Sequence, residues 1–414
     1  MILLLGLTGT LQAQPANTNA NVRPLSLEEC IKMALERNLE IRIEQHNPQI
    51  SWFALEGSYG AYDPTFRSSG AQSFSSREGG RVDDQGRPIL SSDQTKIESI
   101  NADLAGVLPT GFTYELGLDL SHTRNTPSIS PDTWSGSAAA LTLRQPLLKN
   151  FWIDQPRLNI KLNKSNLKIS EQGVYFKVMD VVSRVEAAYY ELIFAHTNVT
   201  VQVKAVELAN QLVFENKQKV KIGTMAILDE KQAESQAAVA QADLLAARNQ
   251  LAVQESTLKN LLTDDYANWQ SVSLAPTELL LPVPPTFNLM DSWQKGMTMR
   301  PDLIQQRLDL EKRDIVLKYS HNQLFPALDL FGSYGHNGLD KVSYEGVLSD
   351  LGQGNNPKYS YGAVFTVPLG NRIARNNYKS SKAAKQQSLD LLKKLEQDVL
   401  VAIDDAIKVA RTGY

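Results

Sequence analysis

Apolar residues change their spacing several times along this chain, and each change marks an element. Between Asp154 and Leu262 the spacing is that of long helices. On the second arm Ala237, Leu244, Leu251 and Leu258 recur every seven residues. Ala233, Ala240, Ala247 and Leu261 fill the offset positions, with Gln254 as the polar break. The first arm answers with Val199, Val206, Val213 and Val220, again seven apart. Seams of this kind over several heptads predict two long helices folded back on each other, with the turn near Gly223. A helix of that span is roughly 100 Å long, too long for an ordinary globular core, so the pattern predicts a rod or a wall stave.

Upstream, Ser26 with Glu29 makes a capping box for a helix whose apolar stripe is Leu27, Ile31, Ala34 and Leu35. The spacing carries it toward Tyr62, with a kink or restart at Pro48. At Pro64 the period becomes two. Phe112, Tyr114, Leu116, Leu118 and Leu120 alternate with Thr113, Glu115, Gly117 and Asp119, and Ile100 to Leu108 and Ala139 to Leu143 do likewise. The segments 76–95 and 123–137 are rich in Ser, Asp, Gly and Pro and read as loops. Alternation over about ten residues fits a transmembrane barrel strand, and a soluble sandwich alternates in the same way. Asn17 to Pro24 reads as a polar linker, and Ser271 to Pro285 as an extended one.

The second half repeats the first. An offset of 262 sets Leu27 on Leu289, Asn38 on Arg300 and Pro64 on Pro326. A shorter offset of 222 sets Pro146 on Pro368. Duplication predicts a first repeat over 25–264 (strands 63–146, long helical hairpin 150–262), a linker over 265–288 and a second repeat over 289–414. In the second repeat the strands fall at 326–368 and a long helix starts at 370–414. Pro64, Pro146, Pro326 and Pro368 stand where helix and strand exchange, because proline cannot continue a helix and holds the preceding residue extended. The same offset would place a second hairpin tip near 445 and the end of the repeat near 486. The expectation is therefore a truncated second repeat, with Leu392, Leu395, Val399 and Ala406 facing water.

Composition narrows the classes. With a formal net charge of −3 over 414 residues, there is no electrostatic case for nucleic acid. The single Cys30 excludes an intrachain disulfide or thiolate zinc site and reads as a small buried hydrophobe. His46, His122, His196, His321 and His336 are scattered without spaced partners. No nucleophile elbow or phosphate loop occurs, and the pairs Asp264-Asp265 and Asp404-Asp405 read as solvated surface. The expectation is a non-enzyme with no catalytic residues, cofactor or metal. Ile2 to Leu11, ended by Leu11-Gln12-Ala13-Gln14, reads as a signal peptide over 1–13, and it is too short to span a bilayer.

In Ser26-Leu27-Glu28-Glu29, Ala34-Leu35 and Asn38, in Arg300-Pro301-Asp302-Leu303, in Gln145-Pro146-Leu147-Leu148, and in Gly223 with Asp229, the chain resembles the TolC-type outer-membrane efflux and secretion channel family. The resemblance implies a mainly α fold with β. Strands from three chains would close one transmembrane β-barrel, continued by an α-helical periplasmic tunnel. It implies a passive exit duct of a tripartite efflux pump or type I secretion system in the bacterial outer membrane, working as a homotrimer. The implied partners are a periplasmic adaptor protein, a proton-driven or ATP-driven inner-membrane pump, and outer-membrane lipid. It further implies that Gly223, Thr224, Met225, Ala226, Ile227, Leu228 and Asp229 form the adaptor contact at the hairpin tip. The four prolines become barrel–tunnel corners. Gly223 also has a plainer reading as a helix C-cap. One departure is that the first strand region holds four strand-like segments where the family pattern needs two. The rival reading is a periplasmic coiled-coil adaptor or structural protein.

Overall fold

A computed structural model describes residues 21–413 except 83, 127–132 and 279–286, so the expected signal peptide lies outside the described residues. In chain order the elements are β1 (Asn21–Leu25), α1 (Leu27–Arg37), α2 (Leu39–Tyr59), β2 (Thr65–Val82), β3 (Pro88–Val107), β4 (Thr113–Thr126) and β5 (Thr133–Pro146). Then come α3 (Gln155–Lys221), α4 (Ile227–Leu262), α5 (Tyr266–Trp269), β6 (Val272–Pro276), α6 (Leu289–Met299) and α7 (Pro301–Asn322). The last are β7 (Ala327–Asp340), α8 (Tyr344–Gly352), β8 (Pro357–Thr366) and α9 (Arg372–Thr412). They fall into two compact units, one from Met1–Asn47, Gly173–Ser292 and Ile403–Tyr414, the other from Pro48–Gln172 and Trp293–Ala402.

In the first unit the heptad seam is realised. Ala233, Leu244, Ala247, Leu258 and Leu261 are buried, and Ala237, Ala240, Leu251 and Gln254 are half-buried. Val199, Val206, Val213 and Val220 on α3 are half-buried too. At its wide end the hairpin meets a core made by α1, β1 and β6. Cys30, Ala34, Ile41, Val181, Val185, Leu192, Leu258 and Leu274 pack there, and the buried Tyr189 hydroxyl donates to the Leu25 carbonyl at 3.0 Å. Burial pushes the Cys30 thiol up to about 12, so it stays protonated and inert at neutral pH. Glu40 binds the Arg184 guanidinium through both carboxylate oxygens (3.1 and 2.5 Å) and Lys177 at 3.2 Å. These contacts hold its carboxyl below the usual glutamate range, the Arg184 hydrogen bond being the largest cause.

In the second unit six strands form one antiparallel sheet in the order β2-β3-β4-β5-β7-β8. Registers put Phe66, Leu104, Leu116, Leu141, Tyr334 and Tyr359 in one row across all six strands. The next row, on the opposite face, is Thr65, Ala105, Glu115, Thr142, Ser333 and Ser360. All six members of the first row are exposed. Toward the far end α8 covers the same apolar face. Val347 and Leu351 pack on Leu120, and Trp134 stacks on His122 at 3.7 Å. The helix approaches so closely that a Cβ at Gly136 would meet Val347 at 2.6 Å. β2 and β8 are the two edges, each hydrogen-bonded to one neighbour.

Several expectations are corrected. The helix breaks at Asn38, not at Pro48, which lies inside α2. Asn38 Oδ1 accepts from the backbone N–H of Glu40 and Ile41, while its Nδ2 donates to the Leu261 carbonyl. An end-cap anchored to α4 decides the boundary, whereas a proline loses only one turn's hydrogen bond. In α1 Cys30 takes the inward place given to Leu35, which is exposed. The segment 76–95 is mostly strand, because its polar residues pair along β2 and β3, and 123–137 is partly so. The two linkers contain β1 and β6, which pair in parallel from Asn21 with Val272 to Leu25 with Pro276. Three of the four α9 seam positions do not face water. Leu392 and Leu395 are half-buried and Val399 is buried, since α9 runs against α7 with Lys385 to Asp314 at 2.6 Å and Arg307 to Glu396 at 3.5 Å. Ile407 is buried and Ala406 is exposed.

Two outcomes are expected. Leu258, 0 % exposed, should cost about 2–5 kcal/mol of unfolding free energy as Leu258→Ala, read by denaturant titration. Glu40 has a lowered folded pKa, so its contribution is complete above the unfolded value of about 4.3 and is lost as pH falls through the folded one. Glu40→Gln should therefore lower the melting temperature at pH 7, with the gap to wild type closing below about pH 4.

Candidate functional site

The hairpin tip is built by backbone chemistry. α3 ends in a Schellman motif, with the Gly223 N–H donating to the Val220 carbonyl and the Thr224 N–H to that of Lys219, each at 3.0 Å. Gly223 holds φ at +77°, a left-handed value that glycine adopts without penalty. The Thr224 hydroxyl also donates to the Lys219 carbonyl at 3.1 Å. Ala226 precedes α4 in extended conformation, and Asn216 Nδ2 reaches the Asp229 carbonyl at 3.5 Å across the hairpin. Met225 is half-buried, whereas Ile227 and Leu228 are strongly exposed, as is Ile222 on the other arm. Lys219 and Lys221 close α3 and Asp229 opens α4, each favoured by the helix dipole. Just beyond, Lys231 and Glu234 pair at 2.8 Å, which raises the lysine and lowers the glutamate. The result is a small apolar platform ringed by charges of both signs. Ile222 was not among the tip residues read from the sequence. Its signal is a β-branched apolar side chain at a helix end, where polar residues are usual.

The four prolines stand at element ends. Pro64 directly precedes β2, Pro146 closes β5, Pro326 directly precedes β7, and Pro368 lies between β8 and α9. Beside two of them stand asparagines that apolar periodicity does not mark. After Pro146 the chain turns on Asn150, left-handed at φ +66°. Its N–H donates to Asn322 Oδ1 at 2.8 Å, and its own Oδ1 accepts from Gln323 at 2.7 Å. After Pro368 it turns on Asn371, φ +38°, whose Nδ2 donates to the Leu324 carbonyl at 3.2 Å. The shared signal is Pro-Leu followed within three residues by Asn, because asparagine tolerates the left-handed region better than most residues. Asp154 then caps α3, accepting from the Arg157 N–H at 2.9 Å.

Asp264 and Asp265 are not merely solvated: Asp264 pairs with Arg42 at 3.0 Å, and Asp265 caps α5. Among the described residues no group of three or more His, Cys, Asp or Glu side chains could hold a metal ion, and no helix is long and apolar enough to cross a membrane.

Residues 92–263 match the family model of outer membrane efflux proteins. No curated protein matches the sequence. Among solved structures, the outer-membrane channel OprN is similar at a TM-score of 0.63 and 14% identity, over 93% of this chain and 73% of its own. The outer membrane protein VceC from Vibrio cholerae is similar at 0.60 and 15%, over 93% and 79%. The outer membrane channel CmeC of Campylobacter jejuni is similar at 0.54 and 16%, over 92% and 71%. Residues 92–263 are thus similar to outer membrane efflux proteins, and the chain shares its fold with outer-membrane channels of known structure.

Proposed function

We propose that this protein is an outer-membrane channel, the passive exit duct of a tripartite efflux pump or type I secretion system. The observation that carries the reading is the exposed row Phe66, Leu104, Leu116, Leu141, Tyr334 and Tyr359, with a polar row directly behind it. Six adjoining large apolar side chains in water would be a severe liability. Against hydrocarbon they are the ordinary lipid face of a barrel, and the polar row becomes its lumen lining. A periplasmic coiled-coil adaptor, the rival reading, gives no account of this row.

The two open edges on β2 and β8 support association. Unpaired strand edges are not tolerated in lipid, so a sheet of this kind spans a membrane only when copies close it. A homotrimer is the assembly we assign, with the prolines as corners between barrel wall and helical tunnel. The tip from Gly223 to Asp229 is the adaptor contact, facing the periplasm and an inner-membrane pump beyond.

Two measurements test this. From outer-membrane fractions the protein should run as an oligomer of three on unheated gels and as a monomer after boiling. A soluble monomer recovered from the periplasm would sink the reading. Thr224→Arg should cut export at least about tenfold at unchanged oligomer yield, because the backbone cap of Gly223 survives while a long cation holds the partner helix away. Normal export by that variant at normal protein level would remove the tip from the contact.

A further inference from the structure

Both long helices that follow a strand carry cations and no acid over their opening turns. Residues 155–168 carry Arg157, Lys161, Lys164 and Lys168 without one acid, and residues 372–382 carry Arg372, Arg375, Lys379 and Lys382, again without one. In the first turn a cation meets the positive end of the helix dipole and is mildly disfavoured, so an anion near Arg157 would be favourable. Nearby carboxylates do not supply it. Asp314 is held by Lys385, Asp309 by Lys312 and Arg313, and Asp154 by the α3 cap. Among the described residues Arg157, Lys161 and Lys318 pair with no carboxylate.

These three cations line one cleft between the first turns of α3 and the last turns of α7. Its other walls are Ile153, Leu158, Ile315 and Tyr319. Arg157 lies 4.6 Å over the Trp152 ring and donates to the Trp152 carbonyl at 2.8 Å. Large apolar side chains stand open at both corners: Trp152 is 53% exposed, Leu369 98% and Ile373 80%. An apolar slot, cations at its wall that pair with no carboxylate, and the exposed Trp152 ring beside Arg157 together describe an amphiphile with an anionic head. A free phosphate would have no use for the slot. A second copy of this chain would cover the apolar side chains but leave the cations unanswered unless it brought acids.

We infer that this corner is a phospholipid site. The lipid phosphate rests on Arg157, Lys161 and Lys318, its acyl chain lies along Ile153, Leu158, Ile315 and Tyr319, and Trp152 sinks into the bilayer interface. The inference rests on the membrane-channel reading and adds to it which lipid chemistry the wall selects: an anionic headgroup at the strand–helix boundary.

The test uses the full chain in phosphatidylcholine vesicles containing brominated phosphatidylglycerol or brominated phosphatidylcholine. Quenching of Trp152, taken as the difference between wild type and Trp152→Phe, reports occupancy. Phosphatidylglycerol should be preferred by about fivefold or more, as several cations near a headgroup imply, and the preference should weaken with salt. The combined variant R157Q/K161Q/K318Q should bring the ratio to about one with flotation unchanged, while R157K/K161R/K318R, which keeps the charge, should retain it. Equal quenching by both lipids in the wild type, or a preference kept by the neutral variant, overturns the site. Loss of the preference to millimolar inorganic phosphate at constant ionic strength reassigns the cleft to free phosphate, and loss to added chain without lipid exchange reassigns it to a second copy; either overturns the lipid proposal. A chain that floats with no vesicle overturns the membrane reading itself, whereas one that floats without preference overturns this site alone.

Discussion

An open β-sheet edge is a row of N–H and C=O groups with no partner, and most of what is unusual in this protein answers to it. In water such an edge invites aggregation, and in lipid each unpaired group costs several kcal/mol. Six strands from one chain leave two edges, on β2 and β8, and expose a face of leucine and aromatic side chains. Among the described residues neither defect is repaired. In the assembly proposed above, copies joined edge to edge in a membrane would repair both together.

The helical unit solves a different problem with different residues. A two-helix seam buries one stripe on each arm, and the alanines of α4 let the arms lie close. The wide end is held by side chains reaching across elements: Asn38 to the Leu261 carbonyl, Tyr189 to the Leu25 carbonyl, and Glu40 between Lys177 and Arg184. On α4, Lys259 is buried and pairs with Glu255 at 3.4 Å, and Glu255 also accepts from the Ser273 hydroxyl on β6 at 3.1 Å. This places a buried ion pair where the small parallel sheet meets the hairpin. The far end is closed mainly by backbone bonds at Gly223, leaving its apolar side chains free for contact.

What could be read from residues alone was whatever repeats. Heptad spacing named the inward positions of α4 nearly residue by residue, since a 3.6-residue turn allows few ways to bury a stripe, whereas on α3 it found only half-buried valines and passed over the buried run from Val181 to Ala195. Alternation placed β4 and the prolines marked element ends, because proline's limits are local and hold in any fold. Of the candidate site, the turn at Gly223 was legible for the same reason: a left-handed cap is a property of a few bonds.

The rest depended on partners distant in the chain. The polar stretch 76–95 has no apolar period, and only its register against β3 and β4 makes it strand. β1 and β6 look like linkers until each supplies the other's hydrogen bonds across some 250 residues. The break at Asn38 needs the Leu261 carbonyl, the turn at Asn150 needs Asn322 and Gln323, and the inward turn of Val399 needs α7 beside it. The cations of the corner cleft are plain in the sequence, but that Arg157 and Lys161 share one cleft with Lys318 was decided by packing. Local spacing determines which face of an element is apolar. Only the tertiary structure determines what that face, or a lone polar side chain, will meet.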